Sequence, residues 1–208
     1  MYTLQAIADR RSIRHYTAEP VPRETLDLIL AATVQAPSAK NAQPWRFVVL
    51  EGEAALGLAQ IMRQTAEELV QAGEDIGSLA WTAAVVEQAP VTILVYDVAP
   101  PAEIPGQFRD DYRFVMLQSI GGAIQTMLLA ALALGLGSLW ICDVLFCEDR
   151  IDSWAGRTGD KLVAAVSLGY PAESPRARPR RPWQDVTKWK SAAPEAASWR
   201  SADGVAAE

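Results

Sequence analysis

Arg10-Arg11-Ser12-Ile13-Arg14 is the first of two stretches that decide how this chain folds, and the second is Ala36-Pro37-Ser38-Ala39-Lys40-Asn41-Ala42-Gln43-Pro44-Trp45. The first stretch places three guanidinium groups and a hydroxyl within five residues. Guanidinium groups offer planar forks of N–H donors, which suit phosphate oxygens and polarised ring carbonyls. The second stretch is a run of small polar residues between two prolines, typical of a rigid loop with outward-facing donors. Together they predict a site for a planar, phosphorylated ligand.

Length and composition indicate one globular domain. The chain has 208 residues, of which 50% are hydrophobic and 21% are charged. This length is enough for one well-buried core and short for two. The net charge of −6 disfavours non-specific binding of nucleic acid, so no nucleic-acid partner is predicted. Positive charge is instead concentrated in two clusters, Arg10–Arg14 and Arg176–Arg181.

The sequence predicts a reduced, cytoplasmic setting without a membrane partner. Cys142 and Cys147 make no disulfide framework, and Met1–Arg11 lacks the apolar core of a signal peptide. One alternative stays open, because the uncharged run Ile120–Ile141 is long enough to span a bilayer. The sequence Gly135-Leu136-Gly137-Ser138 predicts a helix end inside this run, which favours a buried helix followed by a short strand.

Hydrophobic periodicity predicts helices that alternate with a few buried strands. Helices are predicted at Leu4–Arg10, Arg23–Gln35, Ala54–Gln71, Ile76–Gln88 and Tyr112–Leu136, and strands at Trp45–Leu50, Val91–Tyr96, Leu139–Val144 and Leu162–Gly169. The last strand is too apolar for a sheet edge that faces water. This order of elements indicates an α+β fold or a three-layer sandwich. The long, proline-rich loop Asp97–Gln107 is typical of a functional lid.

Two further motifs follow in the second half of the chain. Gly135-Leu136-Gly137 leads into Ser138–Asp143, and Leu168-Gly169-Tyr170-Pro171 leads into a stretch of alternating arginine and proline. The first of these is not a dinucleotide-binding fingerprint. Trp140 stands where the third glycine belongs, and the predicted helix precedes the glycines rather than following them.

With these four motifs in order, the chain resembles the FMN-dependent nitroreductase family over roughly Thr3–Thr187. The resemblance implies an α+β fold, a nitroreductase-like three-layer α/β/α sandwich with a mainly antiparallel central sheet, in a domain-intertwined homodimer. We expect an FMN-binding domain at residues 1–190. The tail at 191–208 is rich in Ala, Ser, Glu and Gly, which indicates a flexible segment or one that docks on a partner through Trp199.

The resemblance assigns cofactor contacts to all four motifs. By the family pattern, Arg10 and Ser12 bind the flavin phosphate and ribityl chain, and Arg14 lies near the pyrimidine edge of the ring. The predicted cofactor-binding residues are Arg10, Arg11, Ser12, Arg14, Pro37, Ser38, Ala39, Asn41, Trp140, Ile141, Cys142, Asp143, Arg178 and Arg180, with Arg181 as the substitute for either of the last two. A solvated basic helix end and a solvated connector stay open as alternatives for the two arginine clusters.

The chain departs from the family pattern at two of these positions. Ala39 stands where members often carry a hydroxyl residue, so one hydrogen bond is expected to be missing. Cys142 stands where many members carry glycine, which alters the expected contact with ring atom N5. No catalytic acid, base or nucleophile and no metal ligand is predicted, because His15 is the only histidine and no histidine lies in the motif to activate Cys142.

The resemblance implies an NAD(P)H-dependent FMN oxidoreductase with ping-pong kinetics. NAD(P)H gives a hydride to flavin N5 and leaves, and an electron-poor small molecule, such as a nitroaromatic or a quinone, takes its place. Two alternatives stay open. One is another reaction on the same scaffold, such as ene reduction, reductive dehalogenation or flavin-derived synthesis, and the other is a non-enzymatic FMN-binding redox protein. The loop Asp97–Gln107 and the residues near Trp81, Phe108 and Tyr112 are expected to decide between these reactions.

Overall fold

The computed structural model describes residues 2–101 and 103–191. The described helices are α1 (Thr3–Asp9), α2 (Arg23–Thr33), α3 (Glu53–Gln71), α4 (Leu79–Gln88), α5 (Arg109–Ala133) and α6 (Glu148–Ala155). The strands are β1 (Trp45–Glu51), β2 (Val91–Asp97), β3 (Gly137–Ile141) and β4 (Lys161–Gly169). Short 3-10 turns lie at Ala39–Asn41, Gly106–Phe108, Asp143–Cys147 and Trp183–Val186.

The strands form one sheet in the order β1-β2-β4-β3, and every neighbouring pair is antiparallel. The two inner strands, β2 and β4, are buried over almost their whole length. Continuous apolar runs suit strands that are covered on both faces. The prediction that the strand ending at Gly169 avoids the sheet edge is therefore confirmed.

Helices cover both faces of the sheet and give it two hydrophobic clusters. Because side chains alternate along a strand, Leu94 and Tyr96 of β2 join the cluster that contains α3 and α4. Ile93 and Val95 join the cluster that contains α2 and α5. The predicted three-layer α/β/α sandwich with an antiparallel sheet is thus confirmed.

The predicted elements are present, with shifted ends and one helix that was missed. The third strand ends at Ile141 rather than Val144, because the chain turns there into the Asp143–Cys147 turn. Helix α6 was not predicted. It is eight residues long and buries only Ile151, so it is shorter and more polar than the helices that an apolar repeat identifies.

Helix α5 is the central element of one helical layer. With its preceding turn, the segment Gly106–Ala133 is long and apolar enough to cross a membrane by length and composition. Its residues Ile120, Ile124 and Met127 are instead fully buried in the cluster against the sheet. This placement is the one the sequence favours for the uncharged run, a buried helix followed by the short strand β3.

The chain divides into two compact units, Met1–Pro175 and Arg176–Glu208. Within the second unit, the rings of Trp183 and Trp189 meet edge to face, with centroids 6.5 Å apart. The predicted domain boundary at residue 190 stays a prediction. Most of the predicted tail, residues 192–208 with Trp199, lies outside the described residues.

Candidate functional site

The first motif lies directly against the start of β3. The backbone N–H of Ile13 donates to the carbonyl of Ser138 at 2.9 Å, and Ser12 pairs with Ser138 in parallel orientation. Gly137 permits this approach, because a Cβ atom there would lie 2.7 Å from Cγ1 of Ile13. The fold thus joins the first and third motifs.

The fourth motif borders the same segment. The N–H of Thr17 donates to the carbonyl of Tyr170 at 2.9 Å, and the N–H of Ala172 donates to the carbonyl of His15 at 2.9 Å. The hydroxyl of the buried Tyr16 donates to the carbonyl of Ile13 at 2.8 Å. Residues 12–17 are therefore fixed between β3 and the chain that follows β4.

Arg14 is held on three sides within this segment. Its guanidinium lies over the Trp81 ring, 5.1 Å from the centroid, and its Nη1 donates to the carbonyl of Ser12 at 3.1 Å. Its backbone N–H donates to Oε1 of Glu173 at 2.5 Å. The Nε atom is buried and has no hydrogen-bond partner in the described residues. A buried donor without an acceptor is costly, and an acceptor supplied by a ligand would remove that cost.

Arg10 and Arg11 lie at the end of α1. Arg11 donates through Nη1 to the carbonyls of Ala8, at 2.7 Å, and Arg10, at 2.9 Å. Terminal carbonyls of a helix have no partner within the helix, and a cation there is favourable. For Arg11 this is the helix-end role that the sequence left open, and its contact with the flavin stays a prediction.

The end of β3 turns toward α4. The carboxylate oxygen Oδ2 of Asp143 accepts hydrogen bonds from the hydroxyls of Ser78, at 2.6 Å, and Thr82, at 2.7 Å. One oxygen of the Asp143 side chain is therefore engaged with the start of α4, and the predicted flavin contact of Asp143 stays a prediction. Trp140 is partly exposed and lies over Gly121 of α5.

Cys142 is exposed at the same turn and is a free thiol. Burial of the sulfur and the nearby Asp143 carboxylate raise its pKa, and a hydrogen bond with the Trp140 side chain opposes them. A thiol with a raised pKa is protonated at neutral pH and is a poor nucleophile. The expectation that Cys142 is not a catalytic thiol stays a prediction.

The second motif forms a loop with unusual backbone geometry. Lys40, Asn41 and Gln43 have φ angles of 52°, 55° and 47°, a left-handed region that non-glycine residues seldom adopt. The hydroxyl oxygen of Ser38 accepts from the N–H of Gln43 at 3.0 Å, which supports the turn. The N–H of Ala39 points to Oγ of Ser119 on α5, 3.4 Å away. Such strained conformations concentrate at binding sites.

An apolar cavity of about 380 Å³ opens beside this loop. Its lining residues come from the loop, from the chain before α5 and from the first turns of α5: Ala39, Lys40, Ala42, Ile104, Pro105, Phe108, Asp111, Tyr112, Val115 and Met116. The end of the long segment Asp97–Gln107 therefore forms one wall of the cavity.

The second motif and the first attach to opposite faces of the sheet. Ala36 and Trp45, which flank the loop, are buried with α2 and α5, as predicted for Trp45. Ile13 is buried with α3 and α4. Arg178 and Arg180 are exposed residues of the second unit, and their predicted cofactor contacts stay predictions.

Two residues near the site escaped the sequence reasoning. Glu173 accepts from the N–H groups of both Arg14 and His15, and its place just after the fourth motif is the signal that could have found it. Asp97 is 2% exposed at the end of β2, and its Oδ1 has no partner in the described residues. Burial raises the pKa of Asp97 to about 6, although Arg113 opposes this shift.

Comparison with known proteins identifies the family. The sequence matches the family model described as "Nitroreductase family" over residues 7–170. A protein of Methanothermobacter thermautotrophicus, named as a candidate NADH dehydrogenase/NAD(P)H nitroreductase, is 34% identical over 182 residues, which cover 86% of this chain and 82% of that protein. The NADH dehydrogenase of Thermus thermophilus is 30% identical over 213 residues, which cover 89% of this chain and 94% of that protein.

Solved structures agree. A candidate nitroreductase from Desulfovibrio desulfuricans, crystallised in complex with FMN, is 31% identical and superposes with a TM-score of 0.69. The superposition covers 88% of this chain and 94% of that chain. The four motifs, the antiparallel sheet between two helical layers and these matches lead to one conclusion: this protein belongs to the nitroreductase family.

Proposed function

We propose that this protein is an FMN-dependent oxidoreductase that passes electrons from NAD(P)H to an electron-poor small molecule. The observation that carries the proposal is the convergence of Ser12 and Arg14 with the start of β3 at one place. The names of the relatives support NAD(P)H as the reductant and the FMN complex supports the cofactor. A nitroaromatic or a quinone is the proposed class of acceptor.

The residues at this place fit a flavin mononucleotide. Arg10 and Ser12 supply the charge and hydroxyl that a phosphate and a ribityl chain require. The unmet Nε donor of Arg14 is suited to a carbonyl on the pyrimidine edge of the ring. A cation at that edge stabilises negative charge on the reduced ring. The backbone of Trp140–Asp143 is proposed to run past the ring.

Bound FMN would supply the redox chemistry, as a hydride acceptor from NAD(P)H and an electron donor to the second substrate, and the two substrates would use one site in turn. The protein residues bind and orient rather than exchange protons. His15 is the only histidine, and the raised pKa of Cys142 disfavours a thiolate. Positioning of the two reactants is therefore the main contribution of the protein to rate.

We propose the cavity beside Lys40 as the place where the acceptor binds. Its volume of about 380 Å³ lies within the range of roughly 300–1,000 Å³ usual for small-ligand sites. Phe108 and Tyr112 offer aromatic faces on its wall, and aromatic faces attract planar rings in offset or edge-to-face arrangements. This chemistry favours a planar aromatic acceptor.

A homodimer is proposed as the working form. The loop at 37–41 contacts α5 on one side of the sheet, whereas Ile13 is anchored on the other. A second copy related by twofold symmetry can bring the loop of one chain to the arginines of the other. Apolar side chains left exposed on α1 and α5, such as Leu4, Ile7, Phe114 and Leu117, are available for such an interface. We place the dimer in the cytoplasm.

An anaerobic stopped-flow experiment tests the proposal. Protein loaded with FMN is mixed with NADH or NADPH, and the visible absorbance of the oxidised flavin is followed. We expect rapid bleaching with at least one nucleotide, and recovery of the absorbance when a nitroarene or a quinone is added. Bound FMN that neither nucleotide reduces would favour the alternative of a non-enzymatic flavin-binding protein.

A further inference from the structure

Arg14 and Trp81 form a pair that links the first motif to α4. The Arg14 guanidinium lies 5.1 Å from the centroid of the Trp81 ring, within the range of roughly 6 Å for a favourable cation–π contact. Trp81 is 48% exposed, so the pair lies at the protein surface rather than in the core. The contact therefore adds a restraint on the Arg14 side chain to the hydrogen bond that it donates to the Ser12 carbonyl.

Helix α4 is itself fastened at the residues on either side of Trp81. The hydroxyls of Ser78 and Thr82 both donate to Oδ2 of Asp143, at the turn after β3. One carboxylate oxygen thus holds the first turn of α4 against the end of the strand. Because Trp81 lies within this turn, the same two hydrogen bonds restrain the stretch of backbone that carries its ring relative to the end of β3.

We propose that Trp81 is a positioning residue that fixes the Arg14 guanidinium for the flavin ring, with Asp143, Ser78 and Thr82 acting as the clamp that holds Trp81. This inference rests on the proposed function, because it presumes that Arg14 faces bound FMN. It assigns Asp143 a role through its side chain that differs from the flavin contact predicted from the sequence.

Release of Arg14 is expected to change both the affinity of the protein for FMN and the reduction potential of bound FMN. A fixed guanidinium stabilises the negative charge of the reduced ring more than the neutral oxidised ring. Releasing Arg14 therefore weakens binding of reduced FMN more than binding of oxidised FMN, and the potential becomes more negative. If the affinity for reduced FMN falls ten times further than the affinity for oxidised FMN, the reduction potential falls by about 30 mV for a two-electron couple.

The test measures FMN affinity and the potential of bound FMN in Trp81→Ala and Trp81→Phe. Trp154→Ala is the matched control, because Trp154 is also partly exposed and its ring packs on Gly57. We expect Trp81→Ala to weaken FMN binding by about 2- to 30-fold, from the usual strength of a cation–π contact, and to make the potential more negative. Trp81→Phe keeps a ring face and should lie between Trp81→Ala and wild type, while Trp154→Ala should change neither quantity.

A double substitution shows whether Trp81 acts through Arg14. In the Arg14→Ala background, Trp81→Ala should leave the potential unchanged, because the guanidinium it positions is gone. An equal shift in both backgrounds overturns the proposal. If Trp81→Ala does not fold, Trp81→Leu, which keeps apolar bulk without a ring face, takes its place in both backgrounds.

The clamp has its own test in the double variant Ser78→Ala/Thr82→Val. We expect the potential of its bound FMN to shift in the same direction as in Trp81→Ala. An unchanged potential would show that Asp143, Ser78 and Thr82 do not hold Trp81 in place. Wild-type protein that takes up no FMN overturns both the proposed function and this inference. Wild-type protein that binds FMN, together with unchanged affinity and potential in Trp81→Ala, overturns this inference alone.

Discussion

A Cβ atom at Gly137 would lie 2.7 Å from Cγ1 of Ile13, so the segment that carries Arg14 can lie against β3 only because residue 137 has no side chain. The contact positions the hydrogen bond from Ile13 to Ser138, which joins the first and third motifs. A single glycine thus connects the stability of the fold to the geometry of the proposed flavin site.

Gly137→Ala should destabilise the protein by about 1–3 kcal/mol, because an inserted methyl group in a packed contact forces its neighbours to move. Urea unfolding of the flavin-free protein measures this change. Gly106→Ala is the control, since a Cβ atom there meets no atom within 4 Å. In an Ile13→Gly background, which removes all three atoms of Ile13 that the added Cβ atom would meet, the cost of Gly137→Ala should be much smaller. Equal costs in both backgrounds would show that the contact with Ile13 is not the cause.

Asp97 should make the protein less stable as the pH rises from about 4 to about 6. Its pKa is raised from the ordinary value of 3.8 to about 6, so the folded state binds the proton more tightly than the unfolded state does. Folding is then penalised when the carboxylate ionises. The penalty is absent below about pH 4 and complete above about pH 7, where a shift of roughly two units corresponds to about 3 kcal/mol.

Asp97→Asn removes this ionisation and keeps the shape of the side chain. The variant should be more stable than wild type by about 2–3 kcal/mol near pH 7.5 and equal to it near pH 4. Urea unfolding at the two pH values gives the comparison. The other titratable groups contribute equally to the stability of wild type and variant. A difference in stability that is the same at both pH values would therefore contradict the raised pKa of Asp97.

Lys40 should favour acceptors that carry a negative charge, because its side chain lines the proposed acceptor cavity. Lys40→Ala is expected to lower kcat/KM for 4-nitrobenzoate relative to a neutral nitrobenzyl alcohol by about 2- to 5-fold. That factor reflects the strength of about 0–1 kcal/mol for an exposed charge pair. Lys161→Ala is the control, because Lys161 pairs with Glu148 elsewhere in the fold. If the ratio of the two kcat/KM values is unchanged in Lys40→Ala, the acceptor does not bind in this cavity.

The strands and most helices were predictable because their apolar patterns are strong. The continuous apolar runs at Val91–Tyr96 and Leu162–Gly169 favour strands covered on both faces, and the inner strands β2 and β4 are such strands. Helix α6 was missed because it is only eight residues long and buries a single residue. The ends of α5 and β3 also differed, since short 3-10 turns at Gly106–Phe108 and Asp143–Cys147 carry no periodic signal.

The site was predictable in its motifs and not in its contacts. The family resemblance led to Arg10–Arg14 and to the turn after Gly137. It did not reveal that Arg11 covers the end of α1, that Asp143 holds α4, or that Arg14 lies on Trp81. These are tertiary contacts between residues remote in sequence, or choices among several donors and acceptors, and no local pattern specifies them.

The most direct measurement of the central claim is the affinity of the protein for FMN and for riboflavin, compared between wild type and Arg10→Ala. Arg23→Ala serves as the control, because Arg23 pairs with Asp27 on the exposed face of α2. Loss of a charge-assisted phosphate contact of about 1.5–3 kcal/mol should weaken FMN binding by about 10- to 150-fold. Riboflavin, which lacks the phosphate, should bind both proteins about equally. Wild-type protein that takes up neither flavin, or an equal loss for FMN and riboflavin in Arg10→Ala, would contradict the account.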